Sequence, residues 1–337
     1  MDYDFFDPCK NLAMENCIVR YVESQAKEGN YIFAVTTWKN DNTVVIGRNQ
    51  DPLAECDLNA VEKYKINIAR RITGGGAVYH DRGNLNFSFV LPKKYYNTEN
   101  TSHIIVNAIK HLGADVSLSG RNDITIDGRK FSGNAYYSND YVGLHHGTIL
   151  IKSCFDRLGE VLTPDKLKLK NPRVASVKSP VANLSEFLPD VTHQSISKSV
   201  FEAFKHYTER ILGESLDSTL FEKDLIAKED FNKTYELYSS REWIFGRNLG
   251  EPQLKDYFAW GKLLVYFFVS EGRVDTCEFV TDSISLDIWD KLKHVFCRAE
   301  FTSPSLIKKA ESLLPVYNNT QDSIILKDVI LMLKNLT

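Results

Sequence analysis

The residues best suited to chemistry lie in one stretch, residues 70–84, which reads RRITGGGAVYHDRGN. Its three consecutive glycines lack Cβ atoms, so a ligand could lie directly against backbone N–H groups. The two arginines before them supply fixed positive charge that suits a carboxylate or a phosphate. A plain glycine-rich turn is the alternative, but Arg-Arg on one side and His-Asp-x-Gly-Asn on the other favour a ligand-binding loop.

Strands must position this loop, because apolar residues alternate on both sides of it. Ile66 and Ile68 precede the loop, and every second residue from Leu85 to Leu91 follows it, which predicts two half-buried strands. A dinucleotide-binding loop would instead open a helix and need a third glycine where Tyr79 stands. A Walker phosphate loop would need Gly-Lys-Ser/Thr, which is absent from this stretch.

The rest of the first 246 residues alternates between helical and strand patterns. Asp7-Pro8 predicts the start of an amphipathic helix, and another helix is predicted from Asp51-Pro52 to about Tyr64. Residues 39–42 predict a hairpin turn between two strands, and Asp127-Gly128 is a strong type I′ signal for a second hairpin. Together these elements predict an α+β fold, a mixed β-sheet with flanking helices.

A second, smaller domain is predicted at the C-terminal end. Glycine, asparagine and proline gather between Gly246 and Pro252, which marks a boundary. We therefore predict a catalytic domain at residues 1–246 and a small α/β accessory domain at residues 253–337. In the accessory domain Glu271-Gly272 predicts a hairpin, and two or three helices follow.

Composition excludes several classes of protein. The net charge of −3 gives no argument for a nucleic-acid partner, and the apolar run at residues 263–269 is too short to span a membrane. The acidic start lacks the features of a signal peptide. The six cysteines show neither Cys-x-x-Cys nor paired metal spacing, which is typical of buried or idle thiols in a reducing compartment. We expect a cytoplasmic protein.

Residues 163–180 predict a long exposed loop, because regular periodicity fails there and three prolines occur. The loop carries five cations against Asp165 alone; they are Lys166, Lys168, Lys170, Arg173 and Lys178. A docking loop for an acidic acceptor and a solvated connector both remain open.

The stretch at 70–84 resembles the signature of the lipoate–protein ligase A family. Further blocks agree with it; they are GRND (120–123), GRKFSG (128–133), HHGT (145–148), WIFG (243–246) and FVTDS (279–283). The resemblance implies the fold of class II aminoacyl-tRNA synthetases and biotin ligases. It also implies activation of lipoate or octanoate with ATP and Mg²⁺ to an acyl-AMP. Transfer would follow to a lysine on lipoyl domains of 2-oxoacid dehydrogenase E2 subunits or on the glycine cleavage H protein.

The resemblance also implies roles for individual residues. Lys130, in the block Gly-x-Lys-x-Ser-Gly, would be catalytic, and Trp38, Val44 and Gly75 would line an apolar tunnel for the acyl tail. The other residues implied for lipoate or adenylate binding are Arg71, Thr73, Gly74, Gly76, Val78, Tyr79, Asn84, Asp123, Ala135, His146 and Gly147. Asn122 and Asp123 would hold Mg²⁺.

The sequence leaves more than one role open for three histidines. His145 and His146 are adjacent on a predicted strand, so one should face the site and the other the core, which argues against a zinc pair. His80 would either brace the glycine loop or act on the substrate. Two departures from the family pattern stand out: Tyr137 replaces a common arginine, and Leu144 replaces a frequent aromatic residue.

Three alternatives to the complete ligase remain open. An octanoyltransferase would need a cysteine near residues 121–123, where this chain has Arg-Asn-Asp. A transfer-only enzyme that accepts lipoyl-AMP or a lipoylated donor would share the same binding residues; the C-terminal domain favours the complete ligase. Lys130 and Asp123 argue against the third alternative, a non-catalytic binding protein for lipoylated partners.

Overall fold

The computed structural model describes residues 5–120, 122–162, 180–214, 226–246, 249–318, 320 and 322–336. The strands are β1 (Ala34–Trp38), β2 (Thr43–Ile46), β3 (Asn67–Arg70), β4 (Val78–His80), β5 (Asn84–Pro92), β6 (Val116–Ser119), β7 (Asp123–Ile126), β8 (Arg129–Ser138), β9 (Val142–Leu150), β10 (Leu254–Phe258), β11 (Gly261–Ser270) and β12 (Arg273–Thr281). The helices are α1 (Pro8–Lys27), α2 (Pro52–Glu55), α3 (Leu58–Lys63), α4 (Thr98–His111), α5 (Phe155–Val161), α6 (His193–Leu212), α7 (Lys228–Ser239), α8 (Arg241–Phe245), α9 (Asp287–Phe296), α10 (Ser303–Glu311) and α11 (Asp322–Leu333). The predicted loop at 163–180 lies outside the described residues, except for Pro180.

The strands form three sheets. A six-stranded antiparallel sheet has the order β1-β5-β9-β8-β7-β6, and a three-stranded sheet has the order β3-β2-β4. In the smaller sheet β2 is parallel to β3 and antiparallel to β4. The third sheet, β10-β11-β12, belongs to the C-terminal part. The predicted α+β class is confirmed, although the large sheet is antiparallel throughout and only the β3-β2-β4 sheet is mixed.

The predicted hairpin at residues 39–42 is wrong. β1 pairs with β5, whereas β2 pairs with β3 and β4. The segment between them therefore crosses from the large sheet to the small one. Residue types predict that a strand forms, but they do not identify its partner when that partner is distant in sequence.

The strand β5 is buried along its whole length, so the prediction of a half-buried strand is wrong. Its apolar residues, Leu85 to Leu91 in alternation, pack in the main core with α4 and α6. Asn84, Asn86 and Ser88 point to the opposite face and are also buried. Polar side chains that would normally face water therefore face the interior of the protein.

Local signals position the helices and turns near the site. The side chain of Asp7 accepts hydrogen bonds from the backbone N–H groups of Cys9 and Lys10 and so caps α1, as predicted. Asp127 and Gly128 have φ of 49° and 69°, which fits the predicted type I′ turn between β7 and β8. The single helix predicted from Asp51 to Tyr64 is instead two short helices, because Cys56 pairs with Leu162 and a new cap begins at Asp57.

The C-terminal part has its own hydrophobic core, built from β10–β12 and α9–α11. The hairpin at Glu271-Gly272 and three helices occur as predicted. The strand β10 precedes this hairpin and pairs with β11 through a two-residue turn at 259–260, after which Gly261 has φ of 144°. The domain division at 246/253 stays a prediction. Among the described residues, no helix is long and apolar enough to cross a membrane.

Candidate active site

A cavity of about 160 Å³ lies between the polar face of the six-stranded sheet and the β3-β2-β4 sheet with its glycine loop. One row of paired residues crosses the large sheet and forms the cavity floor. Trp38 pairs with Asn86, Asn86 with Thr148, and Asp123 with Gly133. The N–H of Gly133 donates to Thr148 Oγ1 at 3.2 Å, which joins the two halves of the row. With neighbouring strands about 4.8 Å apart, Trp38 and Gly133 are separated by about 14 Å.

Lys130 lies at the Gly133 end of this row. Its Nζ is 2.7 Å from Asp123 Oδ1, and a Cβ on Gly133 would come within 3.0 Å of the same Nζ. The glycine therefore leaves the space that the ammonium group fills. A β-bulge contributes to this position: Lys130 pairs with Thr125 but Ser132 pairs with Ile124, and such bulges re-aim side chains.

The opposite wall of the cavity is the glycine loop, and Arg71 holds its shape. The Arg71 guanidinium donates to the carbonyl oxygens of Val45, Gly74 and Gly76 and to Thr73 Oγ1, at 2.7 to 3.1 Å. Burial lowers the pKa of Arg71 to about 10, so the side chain stays charged at neutral pH. Each of its nitrogens already donates within the protein, which makes Arg71 a brace of the loop as well as a cation beside the cavity.

Arg70 does not supply charge to the cavity, and that part of the sequence interpretation is wrong. Its guanidinium donates to backbone carbonyl oxygens in the loop after β2 and in α8. Those acceptors belong to Gly47, Arg48, Gln50, Trp243 and Ile244. Arg70 thus ties α8 to the loop that follows β2.

The glycines of the loop have different surroundings. Gly75, with φ of 91°, and Gly76 border the cavity. A Cβ on Gly74 would lie 2.5 Å from the carbonyl oxygen of Ser283 and 2.7 Å from that of Ile284. The Gly75 N–H donates to the same Ser283 oxygen at 2.9 Å. The segment after β12 therefore packs directly on the glycine loop.

The sequence model of the family described as the lipoyl protein ligase A/B catalytic domain matches residues 7–205. The chain belongs to this family. The matched residues include the glycine loop, Lys130 and the whole of the row that forms the cavity floor.

Solved structures of lipoate protein ligases are similar over most of the chain. LipL1 of P. falciparum, in complex with lipoate, is 28% identical with a TM-score of 0.83, over 99% of this chain and 98% of that one. A bipartite lipoate protein ligase from Thermoplasma acidophilum, studied with its E2 lipoyl domain, is 26% identical with a TM-score of 0.61, over 74% of this chain and 96% of that one. Lipoate-protein ligase A bound with ATP shares the fold, at 24% identity and a TM-score of 0.59, over 73% of this chain and 96% of that one.

Most of the predicted binding residues of this family member border the cavity. They are Trp38, Arg71, Gly75, Gly76, Val78, Asn122, Lys130, Ala135, His146 and Gly147. Thr73, Asn84 and Asp123 lie one contact away: Thr73 bonds to His146, Asn84 Nδ2 donates to Asn86 Oδ1, and Asp123 pairs with Lys130.

Val44 and Tyr79 do not reach the cavity. They pair with each other across β2 and β4 and pack with Cys56 and Ala60 on the far side of the small sheet. Because side chains alternate along a strand, the cavity receives their neighbours instead. Those neighbours are Val45, Val78 and His80. Tyr137 and Leu144, the two departures, pair on β8 and β9 and pack in a separate cluster.

The two adjacent histidines face opposite sides of β9. His145 lies in the core, where Thr101 Oγ1 and Asn134 Oδ1 each lie 2.9 Å from its ring nitrogens and where burial holds its pKa well below the usual value. His146 borders the cavity, with its Nδ1 2.9 Å from Glu15 Oε1 and its Nε2 2.7 Å from Thr73 Oγ1.

His80 is a neutral group on the cavity wall. Burial lowers its pKa to about 3, and the positive charge of Arg71 adds to the effect. Asn40 donates from Nδ2 to His80 Nδ1 at 3.0 Å, because Asn40 Oδ1 already accepts from Asn11 Nδ2. The His80 proton is therefore on Nε2, which has no hydrogen-bond partner in the described part of the chain.

Sequence reasoning missed Glu15, although a signal was present. Glu15 is 1% exposed and lies on the buried face of α1 among Leu12, Ile18 and Val19. A carboxylate on an otherwise apolar helix face is costly unless it has partners, and so it indicates a buried polar network.

The proposed magnesium ligands fit the ion only in part. Asp123 offers a carboxylate and Asn122 borders the cavity, although Asn122 Nδ2 donates to the carbonyl of Asn134. Within the described ranges no group of three or more His, Cys, Asp or Glu side chains could hold a metal. Mg²⁺ commonly uses one or two carboxylates together with substrate phosphates and water, so Asp123 suits an ion that arrives with a nucleotide.

Proposed function

We propose that this protein is an ATP-dependent lipoate–protein ligase that forms lipoyl-AMP, or octanoyl-AMP, and transfers the acyl group to a lysine. The observation that carries the proposal is the position of Lys130. Its ammonium lies over Gly133 at one end of the cavity floor, beside Asp123, while Trp38 occupies the other end.

An extended acid fits this arrangement with its carboxylate at Lys130 and its tail toward Trp38. Leu12, Val45 and Val78 border the cavity and supply apolar surface. Each CH₂ group removed from water contributes about 0.8 kcal/mol. The tail would therefore provide much of the affinity, and the head group would be oriented by charge.

The chemistry requires two negative groups to meet. In the first step a carboxylate oxygen of the acid attacks the α-phosphate of ATP, and pyrophosphate leaves. The Lys130 ammonium between them would offset their repulsion and stabilise charge in the transition state. In the second step the ε-amine of the acceptor lysine attacks the adenylate carbonyl, and AMP leaves. Bound Mg²⁺, held by Asp123 and the phosphates, would supply further positive charge for the nucleotide.

We propose lipoyl domains as the acceptors, in 2-oxoacid dehydrogenase E2 subunits and in the glycine cleavage H protein. The Thermoplasma acidophilum relative, which was studied with its E2 lipoyl domain, supports this choice. We also propose that residues 1–246 form the catalytic domain and residues 253–337 an accessory domain. The separate core of the C-terminal part supports the division.

A transfer-only lipoyltransferase is the second candidate. The Gly75 N–H donates to Ser283, and a phosphate of ATP or of a finished adenylate would have to displace that contact in either enzyme. A transfer-only enzyme would bind the finished adenylate with the same cavity.

Lipoate-dependent exchange of pyrophosphate into ATP separates the two candidates. We expect the purified protein to catalyse this exchange and to require Mg²⁺, because only the complete ligase forms the adenylate. Absence of exchange, together with transfer from added lipoyl-AMP to a lipoyl domain, would identify the transfer-only enzyme. Absence of both reactions would indicate a binding protein.

A further inference from the structure

Four side chains form a continuous hydrogen-bonded series from α1 to the glycine loop. Glu15 Oε1 and Oε2 lie 2.9 and 3.0 Å from His146 Nδ1, and His146 Nε2 lies 2.7 Å from Thr73 Oγ1. Arg71 Nε donates to the same Thr73 oxygen at 3.0 Å. All four residues are buried. Arg71 and His146 border the cavity, whereas Glu15 and Thr73 stand behind them.

The partners fix where each proton lies. An ionised carboxylate only accepts hydrogen bonds, so the His146 nitrogen that faces Glu15, Nδ1, must carry the imidazole proton. His146 Nε2 then accepts the hydroxyl proton of Thr73. The Thr73 oxygen in turn accepts from Arg71 Nε. Ser88 also donates its hydroxyl to Glu15, which satisfies the carboxylate further.

Arg71, the last residue of the series, contacts the backbone of the glycine loop. Beyond Thr73, the Arg71 guanidinium donates to the carbonyl oxygens of Gly74 and Gly76. If the His146 tautomer changed, Nε2 would become a donor, and the hydroxyl proton of the fully buried Thr73 would lose its acceptor. Rotation of the Thr73 side chain toward a new acceptor would move the oxygen that Arg71 Nε contacts, and one of the bonds that orient the guanidinium would be lost.

We propose that Glu15 is a positioning residue for the adenylate site: it fixes the His146 tautomer, and through Thr73 it orients the Arg71 guanidinium that shapes the glycine loop. The proposal rests on the proposed function, because it takes the glycine loop to receive the adenylate. Glu15 would thus affect catalysis although it does not border the cavity and does not contact the substrate.

Nitrogen-15 NMR of histidine-labelled protein tests the first step directly, with His146→Gln used to assign the signal. We expect the Nδ1–H tautomer of His146 in the wild-type protein and in Glu15→Gln, whose amide oxygen still accepts. We expect that tautomer to be lost in Glu15→Ala. If Glu15→Ala does not fold, Glu15→Met fills the space and should show the same loss.

Pyrophosphate exchange tests the second step. A displaced reacting group can cost about 10²-fold in rate, so we expect a loss of that order in Glu15→Ala and most of the activity in Glu15→Gln. Glu23→Ala is the matched control, because Glu23 is on the same helix but pairs with Lys27 near the surface.

Two results would overturn the proposal. One is an unchanged Nδ1–H tautomer in folded Glu15→Ala or Glu15→Met. The other is a Glu15→Gln protein that is folded and keeps the tautomer but is no more active than Glu15→Ala. The NMR measurement needs neither ATP nor lipoate, so a wild-type protein without exchange would reject the proposed function and leave the tautomer result to be judged separately.

Discussion

At the scale of one side chain, the clearest prediction concerns Lys130. In the proposed reaction its ammonium lies between the carboxylate of the acid and the α-phosphate of ATP. Lys130→Met should lower both adenylation and transfer by about 10²–10³-fold, the usual cost of losing one group that stabilises transition-state charge. Lys130→Arg should also be poor, because Gly133 leaves room for a compact ammonium and not for a planar fork.

The two half-reactions are measured separately, as pyrophosphate exchange and as single-turnover transfer from lipoyl-AMP. Lys110→Met is the control, since Lys110 lies on the surface and is half exposed. Near-normal rates for both Lys130 variants, in protein whose circular dichroism is unchanged, would remove Lys130 from the mechanism.

Single residues were selected mainly through the family resemblance. Lys130, Asp123 and His146 were implied by it, and the structure brings them together around or beside the cavity. Val44 and Tyr79, which the resemblance also implied, each lie one strand position from side chains that border the cavity. Both faces of β2 are buried, so the sequence pattern does not show which face meets a ligand; the strand pairing in the folded protein decides it.

At the scale of elements, the β8 bulge and Gly133 together place the lysine. Gly133→Ala should therefore imitate the loss of Lys130, because the new Cβ would stand 3.0 Å from both Cε and Nζ of Lys130. We expect a fall of about tenfold or more in pyrophosphate exchange with little loss of stability, since the side chain that must move is flexible.

Gly159→Ala provides the matched control for this glycine substitution. Gly159 lies in α5 and is exposed, and a Cβ at this position would meet no other atom within 4 Å, so exchange should not change. If Gly133→Ala were as active as Gly159→Ala, the close approach of lysine and glycine would have no catalytic consequence.

Elements were predictable where the signal is local. The turn at Asp127-Gly128 depends on two residues that tolerate positive φ, and both adopt it. The connection at residues 39–42 depends on which strands β1 and β2 meet, and those partners lie tens of residues away. The polar face of β5 was visible in the sequence as alternation, but its burial depends on α1 and on the small sheet packing over it.

At the scale of the whole molecule, a buried ion pair joins α2 to the β10-β11-β12 sheet of the C-terminal part. Lys262 Nζ on β11 lies 2.5 Å from Glu55 Oε1 on α2, with side-chain exposures of 5% and 16%. Lys262→Met would leave a largely buried carboxylate without this partner, which should cost about 1–3 kcal/mol. The melting temperature should fall by several degrees.

The double variant Glu55→Met with Lys262→Met should recover most of this loss, because two apolar side chains can replace a buried ion pair at little cost. Lys63→Met is the control, since Lys63 pairs with Glu160 on the exposed surface and should leave the melting temperature unchanged. Equal melting temperatures for Lys262→Met and Lys63→Met would show that the pair does not hold the C-terminal part in place.

The carbonyl of Ser283 and any phosphate of a nucleotide would compete for one proton, the amide hydrogen of Gly75. A binding site whose donor is already engaged is available only in the fraction of molecules in which that bond has opened. The apparent dissociation constant then equals the intrinsic one divided by that fraction. Ser283 lies more than two hundred residues after Gly75 in the chain, so the affinity of the proposed site for nucleotide would be set jointly by the loop and by how firmly the C-terminal part rests on it.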